Sequence, residues 1–403
     1  MGRGLKAVLI VVIAVGVTLA AGAVALMWAG LPTYDVPTVV LPVDDSAAVR
    51  ERGRALVRGL CWRCHFDPET GGLSGRIDAD VPDEMGAITA PNLTQHGDGL
   101  GDWTPGDLAY LLRTGVNPKT TRIVPPWMPR WPRLADEDAA ALAAFLLDGD
   151  HIWVQGRAGG PPPSRYSPYV HYLARIGWDP MPYPMQPVPR PSDDDPIAYG
   201  RYLVADLYRC HECHHDGTLD FTVVDQPLTA ARMAGGAKML DAAEEAVFTT
   251  NLTPHADGLG RAGVEDLRRV LVDGFDAEGN LVRFPMPRYP ELHETDVEAI
   301  FAFLQTLEPV AGVAPQAPRR VIGPKADPGR HVYERVGCPV CHDHDGEGVA
   351  SLLGMETDDA AVARFILHPD GDAADIMPAW EGHLTDREVR DLVAHLRTLA
   401  SPH

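Results

Sequence analysis

Apolar residues are arranged along this chain in two ways. From Ala7 to Trp28 they run unbroken by any charge for 22 residues, long enough to cross a bilayer as a helix. The run has no polar face, which argues against a core helix. Arg3 and Lys6 precede it, and Asp35, Asp44 and Asp45 follow. The positive-inside rule then leaves the N-terminus in the cytoplasm and the chain from about residue 30 outside it. The small residues Ala20–Ala23 would suit a signal-peptide cleavage site, but the run is longer than a signal core and is expected to stay as an anchor. No later stretch is apolar enough to span.

Elsewhere the apolar positions follow the helical period. Val297, Ile300, Phe301 and Leu304 fall at i, i+3, i+4 and i+7, as do Val389, Leu392, Val393 and Leu396. Thr295 with Glu298, and Thr385 with Glu388, read as capping boxes for these two helices. An earlier helix carries Leu142, Phe145 and Leu146 without such a box. Further upstream, Tyr199, Tyr202 and Leu203 mark another helix. Gly53, Gly200 and Gly329 occupy similar places in three such upstream helices, where a small residue would let two helices cross closely. Residues 155–196 are proline-rich and aperiodic, which predicts an extended linker, and 309–325 a shorter one.

Composition fits a loop-rich folded protein. Of 403 residues, 37 are proline and 39 glycine, and the net charge of −21 argues against a nucleic-acid binder.

The cysteines change the picture most. All six fall in three identical patterns: Cys61-Trp-Arg-Cys64-His65, Cys210-His-Glu-Cys213-His214 and Cys338-Pro-Val-Cys341-His342. This C-x-x-C-H spacing is the signature of c-type haem attachment. Two thiols three positions apart reach the two vinyl groups of one porphyrin, and the following imidazole lies under the ring to bind iron. A structural zinc site would need two such pairs close together, yet these lie 149 and 128 residues apart. A thioredoxin-like motif would follow a strand, and none is evident near any of the three. Disulfides would give no reason for the recurring histidine.

The first two haem regions repeat one another. Asn92-Leu-Thr-Gln-His96 matches Asn251-Leu-Thr-Pro-His255 at an offset of 159, and Trp127-Met-Pro-Arg matches Pro285-Met-Pro-Arg at 158, the mark of a domain duplication. Each region offers one Met-Pro after its motif: Met128, Met286 and Met377. Proline keeps the residue before it extended, which suits a loop presenting a thioether to iron. Met181-Pro182 lies in the proline-rich stretch before the second motif and lacks the following helix. His96 and His255 are read as loop residues rather than ligands. The Gly97, Gly99, Gly101 series follows no strand, so it is not a nucleotide fingerprint.

Together these motifs resemble class I cytochrome c domains, and more particularly the tri-haem cytochrome subunits of bacterial membrane-bound alcohol, gluconate and sorbitol dehydrogenases. The resemblance implies a mostly α fold. Three tandem helical haem domains, at 46–154, 197–308 and 326–403, would stand behind one transmembrane helix within residues 1–30. It implies three covalent haems c on the six cysteines. His65, His214 and His342 would be proximal iron ligands, and Met128, Met286 and Met377 distal ones. The expected setting is the periplasmic side of the inner membrane. The expected role is electron transfer from a periplasmic or membrane-bound donor to a respiratory acceptor, alternatively as the electron-accepting subunit of a membrane-bound dehydrogenase complex. A haem peroxidase-like enzyme would need an open sixth site, and the three methionines argue against it. Residues 326–403 carry a net −9, which predicts docking of a basic redox partner there.

Overall fold

The computed structural model describes residues 3–67, 70–77, 81–157, 159–217, 228–240, 246–276, 282, 286–312, 328–336, 338, 358–369, 377, 379–381 and 384–399. Among the described residues helices dominate, joined by three two-stranded antiparallel ribbons. The chain divides into two units, one built mainly from residues 1–57 and 64–190, the other from 58–63, 191–219 and 228 onwards.

The first unit begins with α1 (Arg3–Ala29), most of whose described apolar side chains are exposed. The chain leaving it is bound to the body of the unit: Tyr34 N–H donates to the Thr121 carbonyl (2.8 Å) and Ile123 N–H to the Pro32 carbonyl (3.1 Å). Next along the chain come α2 (Ala47–Leu60) and the short α3 (Trp62–His65), of which residues 58–63 belong to the second unit, then α4 (Pro105–Thr114) and α5 (Asp136–Leu146). Thr104 and Asp107 form a reciprocal capping box at the start of α4. As expected, α5 has no side-chain cap; three acidic residues in its first turn complement the helix dipole instead. Its Leu142, Phe145 and Leu146 are buried. The strand β1 (Arg76–Ile77) pairs with β3 (Thr89–Ala90), and β2 (Gly86–Ala87) with β4 (Arg165–Tyr166).

The expected extended linker over 155–196 is corrected in part. Ser167 caps, and Pro168 opens, a helix α6 (Pro168–Ile176). Val170 and Ala174 on α6, with Trp178 beyond it, join Leu31, Tyr110, Val116 and Ile123 in one core. Six prolines between 180 and 191 dominate the segment's composition and hide this one amphipathic turn sequence.

The second unit contains α7 (Pro196–Arg201), which continues as π-helical turns over Tyr202–Leu207, the ribbon β5 (Lys238–Leu240) with β6 (Ala246–Phe248), and α8 (Val264–Arg268). It ends with α9 (Glu294–Leu304), α10 (Pro328–Arg335), α11 (Asp359–Leu367) and α12 (Asp386–Leu399). Val297, Ile300 and Leu304 are buried as expected, but Phe303 takes the inward place expected of Phe301. The α9 capping expectation also shifts: Asp296 accepts from the His293 backbone N–H (3.1 Å), so His293 takes the cap position expected of Thr295 and the helix starts at Glu294. At α12 the expected box forms, with Thr385 N–H donating to Glu388 (2.9 Å) and Glu388 N–H to the Thr385 hydroxyl (3.3 Å).

Three helix crossings recur, and a glycine sits at each. A Cβ on Gly53 would meet the Ala141 carbonyl oxygen at 2.0 Å, on Gly200 that of Ala299 at 1.9 Å, and on Gly329 that of Asp391 at 1.9 Å. Only a residue without Cβ permits such backbone approach. In the first two crossings the residue before the glycine also bonds a buried acid on the partner helix. Arg52 donates to Asp138 (3.0 Å) and the Tyr199 hydroxyl to Asp296 (2.6 Å). At the third, Pro328 precedes the glycine and has no side-chain donor.

Candidate haem-binding sites

At the first motif, α2 delivers a buried Cys61, and α3 carries Cys64 and His65. The Arg58 guanidinium stacks on Trp62 within the motif (4.4 Å to the ring centroid). His65 is buried, and its Nδ1 lies 2.8 Å from the Pro91 carbonyl oxygen. A carbonyl can only accept, so Nδ1 carries the proton and Nε2 keeps its lone pair for a metal. Burial pulls the imidazole down to about pKa 4, against the Pro91 bond, so the ring is neutral at physiological pH.

The second motif repeats this geometry with different residues. Arg209, in a left-handed conformation at φ 51°, turns the chain from the π-helical segment into Cys210. His214 is buried, and its Nδ1 lies 2.8 Å from the Thr250 carbonyl, at the position matching Pro91. Gly75 N–H donates to the His65 carbonyl and Gly235 N–H to the His214 carbonyl, both at 2.9 Å. Each histidine is therefore bonded through its ring and through its backbone. Burial lowers the His214 pKa as well. It also pushes the Cys210 thiol up to about 12, with the neighbouring Cys213 adding to the shift. Among the described residues no cluster of three or more His, Cys, Asp or Glu is placed to hold a metal ion.

The segment holding each histidine's partner is itself fastened. Asn92 donates to Asp98 (3.1 Å) and to the Arg157 carbonyl (3.0 Å); Asn251 donates to Asp257 and to the Val310 carbonyl, both at 2.8 Å. Val310 and Gly312, at the start of the expected 309–325 linker, are thus bound to this turn; residues 313–325 lie outside the described residues. His96 and His255 are exposed, and each Nδ1 is paired with a carboxylate, Asp98 or Asp257. His215 accepts from Gly217 N–H (2.9 Å). His211 is buried, and among the described residues neither of its ring nitrogens has a hydrogen-bond partner.

The methionine loops are anchored alike. Trp131 N–H donates to the Leu112 carbonyl and Tyr289 N–H to the Leu271 carbonyl, each at 2.7 Å and each three residues after its methionine, Met128 or Met286. In the first loop Arg130 also bonds the Val124 (2.9 Å) and Asp179 (3.0 Å) carbonyls, and burial lowers its pKa to about 10. At the third motif, Cys338 and Met377 pack against one core of Val332, Tyr333, Trp380, Val389 and Leu392. Cys341 and His342 lie outside the described residues.

Buried neutral imidazoles held through Nδ1, each directly after a C-x-x-C pair, fit covalently attached haem at the first two motifs. The chain resembles the c-type cytochromes. The family described as cytochrome c oxidase, cbb3-type, subunit III matches residues 48–146 and 324–396. The cytochrome c subunit of a quinone-dependent alcohol dehydrogenase from Gluconobacter oxydans (strain 621H) is 27% identical, covering 88% of this chain and 79% of that one. The gluconate 2-dehydrogenase cytochrome c subunit of Pantoea cypripedii is 26% identical, over 88% of this chain and 86% of its own. A fructose dehydrogenase cytochrome subunit from Gluconobacter japonicus is 26% identical, over 82% and 72%.

Reasoning from sequence missed the carbonyls of Pro91 and Thr250 and the buried acids Asp138 and Asp296. The repeated Asn-Leu-Thr segments pointed to the first pair, since each carbonyl immediately precedes its asparagine. No sequence signal marked the acids apart from other helix-start carboxylates.

Proposed function

We propose that this chain is a membrane-anchored tri-haem c-type cytochrome that carries electrons from a dehydrogenase partner to a respiratory acceptor. The duplicated histidine arrangement carries this reading. His65 and His214 each present a neutral ring fixed by a backbone carbonyl 2.8 Å away, an arrangement that would hold the imidazole in one orientation as an iron ligand. Bound haem supplies a one-electron iron couple whose potential the axial ligands and burial set.

Within this reading Cys61/Cys64, Cys210/Cys213 and Cys338/Cys341 form the thioethers. His65, His214 and His342, with Met128, Met286 and Met377, would supply the iron ligands. The domains run from 46 to 154, 197 to 308 and 326 to 403, with the repeated glycine crossings as their common frame. The α1 helix, with a mean hydropathy of 2.6 over Ile10–Ala29, anchors the protein and leaves the haem domains on the periplasmic side. The dehydrogenase relatives support the partner class.

Purification of the full chain from membranes, with haem quantified per polypeptide and spin state read by magnetic spectroscopy, tests the proposal. Three haems, all six-coordinate and low-spin, with a dehydrogenase co-purifying, are expected. A stable five-coordinate haem would move the assignment to a peroxidase-like enzyme.

A further inference from the structure

Among the described residues nothing covers the outward side of α6, and its position says what does. Val170, His171 and Ala174 face inward. Tyr169, Tyr172 and Ile176 are 50%, 49% and 60% exposed. At 3.6 residues per turn these three fall within roughly 60° of arc, so they form one stripe. The helix is too short and too polar to span a membrane, yet it exposes two tyrosines and an isoleucine side by side.

This stripe is tied to the end of α1. The α6 helix packs beside α1, and Arg175 Nη2 on α6 donates to the carbonyl of Gly30, the residue directly after α1 (2.6 Å). Leu31, the next residue, is buried in the same core as Val170 and Ala174. Arg122 also lies beside Gly30, 3.4 Å from where a Cβ would stand. The point where α1 leaves its apolar run is thus ringed by two arginines, in a chain of net charge −21. Trp28, on the last turn of α1, is 89% exposed.

We propose that α6 is a membrane-interface helix: its Tyr169–Tyr172–Ile176 stripe rests in the lipid headgroup layer, and Arg122 and Arg175 meet lipid phosphates at the exit of α1. This rests on the reading of α1 as a membrane span. A span fixes the depth of whatever is bound to its end, and α6 is bound there. Tyrosine and tryptophan favour that depth, with the ring in the acyl boundary and the polar edge in water. The consequence is orientation. A single span alone leaves its cargo free to swing, whereas a second contact holds the haem-bearing body at one angle to the bilayer.

The test uses the full holoprotein in nanodiscs of phosphatidylcholine and phosphatidylglycerol, with a diazirine-bearing phospholipid and peptide mapping by mass spectrometry. Lipid adducts on α1 and on Tyr169, Tyr172 or Ile176 are expected. The α6 adducts should be lost in a Tyr169→Glu/Tyr172→Glu/Ile176→Glu variant whose haem spectrum and α1 adducts are unchanged. Adducts on α1 without any on α6 overturn the inference and leave the anchor standing, as does a protein cross-link on α6 in place of lipid. Absence of adducts on α1 overturns the anchor itself, and the inference with it.

Discussion

A Cβ on Gly53 would lie 2.0 Å from the Ala141 carbonyl oxygen. The same conflict recurs at Gly200 with Ala299 and at Gly329 with Asp391, at 1.9 Å each. Backbone, not a flexible side chain, stands in the way, so the helices must separate to admit a methyl group. Gly53→Ala, Gly200→Ala and Gly329→Ala should each destabilise by about 3 kcal/mol, the upper end of ordinary overpacking. Guanidinium titration followed at the haem bands checks this, and unchanged midpoints would contradict the close crossing.

Tyr199→Phe removes the hydroxyl that donates to the buried Asp296 at 2.6 Å. Asp296 keeps its bond from His293 N–H (3.1 Å) but loses its stronger partner. A loss of about 1–3 kcal/mol is expected. A double-mutant cycle with Asp296→Asn measures the pair; a coupling near zero would show that the bond adds nothing.

Met128→Ala, Met286→Ala and Met377→Ala should each convert about one third of the haem to a high-spin or water-ligated form and lower that haem's reduction potential. Electron paramagnetic resonance and redox titration read both effects. Should all three variants match the parent spectrum, the distal assignment is wrong.

Cys338→Ser/Cys341→Ser should lower the covalent haem count from three to two, with the other two sites spectrally intact. Mass spectrometry of the intact chain decides it. A count of two in the parent protein would remove the third site from the proposal.

The acidic segment 326–403, net −9, predicts that the reduction rate by a basic redox partner falls on the order of tenfold from low to physiological ionic strength. Stopped-flow reduction across a salt series checks this, and a flat series would rule out electrostatic docking.

Chemistry was legible in the chain because covalent attachment fixes both residue type and spacing locally: Cys61, Cys64 and His65 must be near neighbours whatever the fold. The α12 helix and its Thr385–Glu388 box were legible for the same reason, as local hydrogen bonds with a strong period. The α6 helix was not, since short amphipathic turns among prolines carry little periodic signal and this one is held by contacts with Leu31 and Tyr110, far away in sequence. The start of α9 was misplaced because Asp296 and Glu298 compete to cap, and only the buried position of Asp296 against Tyr199 decides between them.

By itself, then, the sequence determined the attachment motifs, the duplication, the apolar run and the glycines at the helix crossings. Tertiary structure decided which carbonyls hold His65 and His214, which acids clamp the crossing helices, and that α6 lies at the end of α1. The physical reason is range. Thioether spacing and helical period act over a few residues, whereas the bonds from His65 to Pro91 and from Arg175 to Gly30 exist only once distant segments have been packed together.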